Sequence, residues 1–402
     1  MANVSSSNGL EKRPKLRFPG FDEPYKQCRI GDIYAERSQR GASDMELLSV
    51  TMNDGVMPRS EIEGKDNSSE DKSNYKVVLT GDMVYNSMRM WQGANGISPC
   101  DGIVSPAYTV LMPKIPISNG YFAAFFKSPN LINEFRKNSQ GMTSDTWNLK
   151  YPQIETIKVC IPALSEQNRV ADMLRTLERR IAKQAQLVDN LKKYKRGFMQ
   201  RIFRQLPSQD GAEWACVRLG DIFKKVSRRN ADGVIKNVIT NSAEYGLIPQ
   251  RDFFDKDIAV DGNTANYYVI ENGDFVYNPR KSNSAPYGPF NRYTLSEQGI
   301  ISPLYTCLVL QADISPSYLA WYFKSDAWYR YIYDNGSQGV RHDRVSMTDD
   351  LLMGIPVMYP SHEKQLLYAD ILDVVETRLQ ATKKTLDLLS KTRDGYMRQL
   401  FI

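Results

Sequence analysis

A series of short motifs occurs twice in this sequence, and the duplication constrains the fold more than any other feature. Residues 29–33 (Arg-Ile-Gly-Asp-Ile) recur at 218–222 as Arg-Leu-Gly-Asp-Ile, and Gly-Asp-Met-Val-Tyr-Asn at 81–86 recurs at 273–278 as Gly-Asp-Phe-Val-Tyr-Asn. Three further pairs follow in the same order: 105–109 with 302–306, 139–141 with 337–339, and 197–203 with 395–401. The offset grows only from 189 to 198 positions, as small loop insertions produce. The pattern predicts a tandem duplication.

Each copy divides into a mixed part and a helical part. At 402 residues, the chain suits two domains of about 150–200 residues plus connecting structure. The mixed parts alternate β-type runs with short helical stretches and Gly, Pro and Asn breaks. The β-type runs include 76–79, 267–270 and 307–310, and the helical stretches include 118–127 and 315–324. We predict an α+β fold with mixed domains at 1–163 and 206–360 and helical segments at 164–205 and 361–402.

Both helical segments have the features of one long helix. Each follows a proline, Pro162 or Pro360, and Ser165 and Ser361 are the expected N-caps. No proline follows until the segment ends near residue 203 or 401. About 39 residues at 1.5 Å each predict a helix of roughly 58 Å.

Apolar residues recur in these segments at alternating steps of three and four, which predicts a coiled-coil seam. Gln184 and Thr382 occupy one seam position, and Lys195 and Arg393 occupy another. The matched polarity favours antiparallel pairing of the two helices, related by an approximate twofold axis; the alternative is a solvated gap where each helix bends. The seam residues are Leu174, Leu177, Ile181, Gln184, Val188, Leu191, Leu372, Val375, Leu379, Thr382, Leu386 and Leu389.

Composition excludes several classes of protein. Hydrophobic residues at 42% and charged residues at 24% are globular values. No apolar run approaches the ~20 residues of a membrane span, and residues 1–13 have no signal-peptide pattern, so we expect a cytoplasmic protein. The five cysteines are at least 56 residues apart, which favours reduced thiols over disulfides or a zinc site. With two histidines in the chain, His-based catalysis and His-rich metal sites are not expected.

The sequence contains no recognisable active site. It has no phosphate-binding loop, because the only Gly-Lys pair, Gly64-Lys65, is followed by Asp66. Asn278-Pro279 begins like a base-methyltransferase motif but continues with Arg280 and Lys281. Asp54, Glu63 and Lys65 resemble a nuclease set, but they lie in a hydrophilic stretch with no counterpart in the second copy, so a solvated charge run is the better interpretation.

A duplicated protein with a helical spacer suits a long, repetitive ligand, and duplex DNA presents equivalent major-groove faces every ~34–36 Å. Several apparent loops combine cations with Asn, Gln or Ser, which suit phosphates and base edges. Each such loop is also compatible with an ordinary solvated surface. For the Gly-Asp turn at 81–82 and 273–274 we predict a structural role. The candidate DNA-contacting residues are Arg59, Arg89, Gln140, Arg228, Arg229, Arg251, Arg280, Lys281, Gln338, Arg341 and Arg344.

Over nearly its whole length the sequence resembles the DNA-specificity subunits of type I restriction-modification systems. The resemblance rests on Pro-Lys-Leu-Arg-Phe-Pro-Gly-Phe at 14–21, Tyr-Gly-Leu-Ile-Pro-Gln at 245–250, and Ser-Glu-Gln at 165–167 opening a helix that closes with Arg-Gly-Phe-Met at 196–199. Their order, duplication and spacing carry the resemblance together. The second copy departs at the helix start, where Glu363-Lys364-Gln365 replaces the commoner Glu-Gln pair.

The resemblance implies two target recognition domains, separated by two long antiparallel coiled-coil helices, that each read one half of a bipartite asymmetric DNA site. It implies that the helices set the gap and dock two modification (methyltransferase) subunits. Restriction (translocase and nuclease) subunits would complete the complex. S-adenosylmethionine, ATP and Mg would be held by those partners, with no cofactor on this non-catalytic chain. The competing hypothesis is a scaffold protein that joins two protein-binding modules.

The net charge of +6 is not evenly distributed along the chain. Residues 165–204 carry 11 basic and 4 acidic side chains, whereas residues 205–360 are net acidic. The basic excess therefore lies on the first long helix and not on the domains assigned to base reading. The sequence leaves open whether this helix faces DNA or acidic partner surfaces.

Overall fold

A computed structural model describes residues 2–3, 13–40, 44–52, 54–66, 68–143, 146–252, 264–336 and 343–402. The described residues fall into two compact units. The first unit is formed by Met1–Gln186 together with Lys383–Ile402, and the second by Leu187–Thr382. The first unit is discontinuous because the end of the chain returns to it.

The first copy contains twelve strands and four short helices before its long helix. The strands are β1 Ala2–Asn3, β2 Leu16–Arg17, β3 Lys26–Arg29, β4 Tyr34–Glu36, β5 Leu48–Thr51, β6 Gly55–Pro58, β7 Lys76–Val78, β8 Met83–Asn86, β9 Asn95–Ile97, β10 Gly102–Val104, β11 Tyr108–Pro113 and β12 Lys158–Ile161. The helices are α1 Ile30–Ile33, α2 Asn119–Phe125, α3 Pro129–Asn138, α4 Tyr151–Ile154 and the long α5 Leu164–Gln200. These counts refer to the described residues.

The second copy repeats the order. Its strands are β13 Ala215–Arg218, β14 Phe223–Lys225, β15 Ile239–Ser242, β16 Gly246–Pro249, β17 Tyr268–Ile270, β18 Phe275–Tyr277, β19 Phe290–Arg292, β20 Gly299–Ile301, β21 Thr306–Leu310 and β22 Pro356–Tyr359. Its helices are α6 Leu206–Gln209, which continues from α5 through a π-helical turn at Arg201–Gln205, then α7 Leu219–Ile222, α8 Pro316–Lys324, α9 Tyr329–Asn335, α10 Asp349–Met353 and the long α11 His362–Gln399.

Apart from the β1-β2 pair of the first copy, the described sheets of the two copies correspond in topology. A four-stranded antiparallel sheet runs β4-β11-β8-β9 in the first copy and β14-β21-β18-β19 in the second. Smaller antiparallel pairs also correspond: β3 with β12 matches β13 with β22, β5 with β6 matches β15 with β16, and β7 with β10 matches β17 with β20. The α+β fold and the duplication predicted from the sequence are confirmed.

The repeated Gly-Asp turn has the structural role predicted for it. Gly81 and Gly273 have φ values of +92° and +100°, a conformation that glycine adopts at little cost. The Asp82 carboxylate accepts two hydrogen bonds from the Arg37 guanidinium, of 2.6 and 3.1 Å. This interaction raises the pKa of Arg37. Asp274 accepts a hydrogen bond of 2.5 Å from Arg228 at the corresponding place, while burial raises the pKa of the Asp274 carboxyl group. The aspartate therefore ties the start of β8 or β18 to the chain that follows β4 or β14.

A buried glutamine joins each long helix to its domain. The Gln167 amide donates to Pro162 O at 2.9 Å and accepts from Ser118 N at 3.0 Å. The Gln365 amide makes the same two contacts with Pro360 O and Ser315 N, at 2.9 and 2.8 Å. The sequence departure next to Gln365 therefore leaves this junction unchanged.

The prediction of Ser165 as an N-cap is wrong. Helix α5 begins at Leu164, so Ser165 lies inside its first turn, and the amides of Glu166 and Gln167 donate to Ala163 O at 3.0 Å. The physical reason is that Gln167 fixes the chain at Pro162, which starts the helix earlier. Ser361 does precede α11, and its carbonyl accepts from Gln365 N.

The ion pair next to each junction glutamine has opposite polarity in the two copies. Arg17 binds Glu166 through two hydrogen bonds of 2.8 and 2.7 Å, and both side chains are at most 5% exposed. At the corresponding junction of the second copy, Lys364 binds Glu213, and both side chains are exposed to solvent. In the second copy the cation therefore lies on the long helix and the anion on the preceding segment, and the ion pair is exposed to solvent.

The long helices pair antiparallel within each unit. In the first unit, Val170 and Leu174 near the start of α5 share a core with Leu400 and Phe401 at the end of the chain. In the second unit, Ile202 and Phe203 after α5 share a core with Leu372 of α11. The predicted antiparallel arrangement of the helices is confirmed.

A phenylalanine at the end of each helical segment packs into the mixed domain of the other copy. The Phe401 ring lies 5.3 Å from that of Tyr121 and stacks on Phe125 at 5.4 Å, both in α2. The Phe203 ring lies 5.5 Å from that of Tyr318 and 5.8 Å from that of Tyr322, both in α8. The repeated motif at 197–203 and 395–401 thus completes two aromatic cores.

The residues assigned to the seam are buried or half-buried along both helices. Seven are buried: Leu174, Leu177, Val188, Leu372, Val375, Leu379 and Thr382. Five are half-buried: Ile181, Gln184, Leu191, Leu386 and Leu389. The polar seam residue Lys195 has a partner, because its ammonium group lies 2.8 Å from Glu376 of α11. Among the described helices, none is both long and apolar enough to cross a membrane.

Candidate nucleic-acid interface

In both copies one backbone contact brings together two segments that are distant in sequence. Leu149 N donates to Ser87 O at 2.8 Å, which holds the chain after β8 beside the chain that leads to β12. Val345 N donates to Pro279 O at 2.9 Å at the corresponding place, between the chain after β18 and the chain that leads to β22. We call this place the junction surface of each domain. The first junction surface contains Arg89 and Gln140, and the second contains Arg280, Lys281 and Arg344.

The second junction surface is cationic. Arg280 and Arg344 lie opposite each other in an antiparallel β-bridge, and Lys281 N donates to Asp343 O at 2.9 Å. Tyr305 lies close to both arginines: burial raises the pKa of its hydroxyl group, and the charges of Arg280 and Arg344 oppose that rise. Two predicted contact residues separated by 64 positions are thus neighbours. Gln338 and Arg341 lie outside the described residues.

The adjacent arginines Arg228 and Arg229 are engaged within their own domain. Arg228 binds Asp274 and also approaches Glu271 at 3.7 Å. The Arg229 guanidinium lies over the Tyr268 ring, 4.0 Å from its centroid, and donates to the Tyr268 hydroxyl group and to Asn266 O. Because both side chains remain exposed, their contact with DNA stays a prediction.

Arg59 and Arg251 occupy matching 3-10 turns after β6 and β16, at Arg59–Glu61 and Gln250–Asp252. The Arg59 guanidinium donates to three backbone carbonyls, of Ile62, Gly64 and Lys65, and thereby closes its own loop. Arg251 is exposed. Their roles in DNA contact also remain predictions.

Two of the three residues that resemble a nuclease set lie in the same loop. Glu63 and Lys65 are exposed beside the Arg59 contacts, whereas Asp54 lies in the turn between β5 and β6, with its backbone N bonded to Thr51 Oγ1 at 2.9 Å. In the part of the chain that the structure describes, no group of three or more His, Cys, Asp or Glu side chains is placed to hold a metal ion.

The first junction surface contains an aromatic pair beside its cations. Trp91 and Trp147 pack edge to face, with ring centroids 5.2 Å apart, and the Arg136 guanidinium lies 5.5 Å from the Trp147 ring. The exposed Arg89 precedes the 3-10 turn Met90–Gln92, which contains Trp91. Gln140 pairs with Asn148 in a β-bridge beside Trp147. Neither tryptophan is repeated in the second copy, so the duplicated pattern of the sequence does not identify them.

The comparisons with known proteins support the same fold. No protein-family model matches the sequence. The structure is similar over 96% of its length to the HsdS subunit from Thermoanaerobacter tengcongensis, with 15% identity, 97% coverage of that chain and a TM-score of 0.51. It is also similar over 97% of its length to the type I restriction-modification S subunit from M. genitalium, with 14% identity, 99% coverage and a TM-score of 0.56.

A third similar structure comes from a study of complex assembly and conformational transition of the type I R-M system. The match covers 96% of this chain and 99% of that chain, with 15% identity and a TM-score of 0.53. At these identities the three likenesses show that the chain has the fold of these subunits. The fold implied by the sequence resemblance is therefore confirmed.

Proposed function

We propose that this chain is the DNA-specificity subunit of a type I restriction-modification complex. The observation that carries the proposal is the likeness, over nearly the full length of each chain, to structures described as S subunits. The duplicated fold supports the proposal, because each copy holds two sequence-distant segments together at a junction surface. A scaffold of two protein-binding modules gives no reason for that surface to carry arginines, glutamine and aromatic rings.

Each domain reads one half of a bipartite, asymmetric target. The first junction surface carries Arg89, Gln140 and the two tryptophans, and the second carries Arg280, Lys281 and Arg344. Arginine pairs with guanine edges and glutamine with adenine edges, so two chemically different surfaces select two different half-sites. The clustering of these residues in each domain supports this assignment.

The long helices fix the gap between the half-sites and dock two modification subunits, with restriction subunits joining the complex. The chain itself is non-catalytic and acts in the cytoplasm. Base methylation and ATP-driven cleavage require S-adenosylmethionine, ATP and Mg, which the partner subunits hold. The task of this chain is to position the duplex for extrusion of the target adenine.

The test is to express the chain with its modification subunit and to map the methylated adenines in genomic DNA. We expect one methylated motif with two defined halves and an unspecified gap, and duplex binding that weakens steeply as salt rises. A complex that binds this motif and random duplex equally at every salt concentration would refute the proposal and favour the scaffold.

The role of the helices as a spacer is tested by a change of length. Insertion of four residues next to Gln184 in α5 adds about 6 Å of helix. We expect the methylated motif to keep both halves and to change its gap. An unchanged gap in an active complex would exclude the helices as the spacer.

A further inference from the structure

We propose that Arg280 and Arg344 together read two adjacent G·C base pairs in the half-site recognised by the second domain. The inference rests on the proposed function and deepens it, because it names the bases that this domain selects. An arginine side chain can donate two hydrogen bonds to the O6 and N7 atoms of guanine in the major groove. One arginine is thereby assigned to each guanine.

The first observation is the type of β-bridge that joins the two arginines. The neighbouring residues on each side of Arg280 and Arg344 form backbone hydrogen bonds of 2.9 Å. This is the non-hydrogen-bonded type of antiparallel pair, in which the Cα atoms are about 4.5 Å apart and both side chains leave the same face. Because successive base pairs lie about 3.4 Å apart along the duplex, two long side chains at this spacing can reach neighbouring base pairs.

The second observation is that the two cations are held together with little neutralisation. Like charges directly opposite each other on two strands are destabilising. In the part of the chain that the structure describes, no carboxylate forms an ion pair with Arg280, and Arg344 approaches only its neighbour Asp343, at 3.8 Å. Arg228 of the same domain is instead bound to Asp274. The repulsion between the two guanidinium groups favours a ligand that is rich in hydrogen-bond acceptors, as the guanine edge is.

The third observation is the support beneath the pair. Asn278 Oδ1 accepts from Arg280 N at 3.0 Å, and the Asn278 side chain, which is 7% exposed, donates to Asn241 O at 3.3 Å. Tyr305, whose hydroxyl group bonds Thr240, lies close to both arginines. An arginine that starts from a backbone held in this way can meet a base edge in one register.

The comparison of the two copies favours guanine bases over phosphate groups as the ligand. The support is repeated in the first copy, where Asn86 Oδ1 accepts from Met88 N at 3.0 Å and the Tyr108 hydroxyl group lies 3.3 Å from Ser49 Oγ. The positions that correspond to the two arginines are occupied by Met88 and Asn148. Both domains meet the same phosphate backbone, so a phosphate contact would be expected in both copies. Different residues on a repeated support are expected of base readers, because the two half-sites differ.

The experiment uses the complex of this chain with its modification subunits and duplexes that carry the mapped motif. 7-Deazaguanine replaces each guanine in turn; it lacks the N7 acceptor but keeps the phosphate groups and Watson–Crick pairing. The variants are Arg280→Met, Arg344→Met and Arg280→Lys, the last of which keeps the charge and loses the planar fork. Arg330→Met is the matched control, because Arg330 is an exposed arginine of the same domain that pairs with Asp334 in α9.

We expect one half of the motif to contain two adjacent G·C pairs at which 7-deazaguanine weakens binding about tenfold. Each methionine variant should lose this response at one of the two pairs and keep it at the other, because each arginine contacts one guanine. Arg280→Lys should lose most of the response at its guanine while its salt dependence stays unchanged. Arg330→Met should keep both responses.

Three results would overturn the guanine assignment while leaving the specificity function intact. One is a motif in which neither half contains two adjacent G·C pairs, and another is unchanged binding by both methionine variants. The third is equally weaker binding of these variants to every duplex, with a smaller salt dependence and unchanged 7-deazaguanine responses, which would assign the arginines to phosphates. Failure of the unaltered complex to prefer its motif would instead refute the proposed function.

Discussion

The two mixed domains share an internal frame and differ on their surfaces. The frame includes the Asp–Arg contact at the Gly-Asp turn, made by Asp82 and Asp274. It also includes the buried glutamine at the start of each long helix, Gln167 or Gln365. The junction surfaces differ, because the first pairs two tryptophans where the second pairs two arginines. The repeated residues thus maintain the fold, whereas the aromatic and cationic pairs at the junction surfaces differ between the copies.

The ion pairs at the helix starts differ in a way that concerns stability. Arg17 and Glu166 are removed from water in the first domain, whereas Glu213 and Lys364 remain exposed in the second. Loss of one partner from a buried pair leaves an uncompensated charge, whereas an exposed pair is screened by solvent. The same contact with reversed polarity therefore has different consequences in the two domains.

Replacement by alanine of the phenylalanine at the end of each helical segment is expected to have the largest effect on stability. Phe401→Ala leaves a cavity beside Tyr121 and lowers the free energy of unfolding by about 3–5 kcal/mol, and Phe203→Ala does the same beside Tyr318. Hydrogen exchange should rise in α2 for the first variant and in α8 for the second. The exposed residue Leu388 provides a control, because Leu388→Ala removes no core contact. Equal exchange in both units for either variant would contradict the separate cores.

Removal of one charge from each ion pair distinguishes the two helix starts. Glu166→Gln is expected to cost about 3–5 kcal/mol, because the Arg17 charge stays buried without its partner. Lys364→Gln should leave the denaturation midpoint unchanged. In a double-mutant cycle, Arg17→Met should recover much of the stability lost in Glu166→Gln. Equal losses from Glu166→Gln and Lys364→Gln would show that burial does not separate the two pairs.

Substitutions of Gln167 and Gln365, by contrast, should have equal effects in the two domains. Gln167→Ala and Gln365→Ala each remove two buried hydrogen bonds and leave a backbone donor and acceptor without partners. We expect a loss of about 1–3 kcal/mol for each variant, measured by urea denaturation. A large difference between the two variants would mean that the junctions are not equivalent.

The smallest expected effect concerns two cysteines on corresponding strands, β3 and β13. Burial raises the pKa of Cys28 to about 11, whereas Cys216 is exposed. Because thiolate is the reactive form, at pH 8 Cys28 is almost entirely protonated and should be alkylated more slowly than Cys216. Peptide mass spectrometry after brief iodoacetamide treatment measures the two rates. Faster labelling of Cys28 would contradict the partial burial of its thiol.

The sequence predicts the features that depend on repetition and periodicity. The duplicated topology, the two long helices and their burial pattern follow from repeated motifs and from apolar spacing, which depend little on distant contacts. The N-cap assignment of Ser165 fails because Gln167 makes tertiary contacts with Pro162 and Ser118, which local propensity does not include. The contact between Arg37 and Asp82 is also tertiary, so the sequence alone does not identify Arg37 as the partner of Asp82.

The candidate site is less accessible to prediction than the fold. Arg280 and Arg344 are recognisable as cationic loop residues, but their pairing depends on a β-bridge across 64 positions. Trp91 and Trp147 have no repeated counterpart in the second copy. Residues that differ between copies carry the specificity in this account, and internal repetition alone cannot find them.

The proposed reading of one half of the target by each domain, on a common frame, is the feature on which the function depends. It is tested most directly by replacing residues 206–360 with the corresponding domain of another specificity subunit and mapping the methylated adenines. Because Phe203 and both long helices remain, we expect one half of the motif to change while the other half and the gap stay as they were. A change in both halves, or in neither, from a complex that still methylates DNA would contradict the claim.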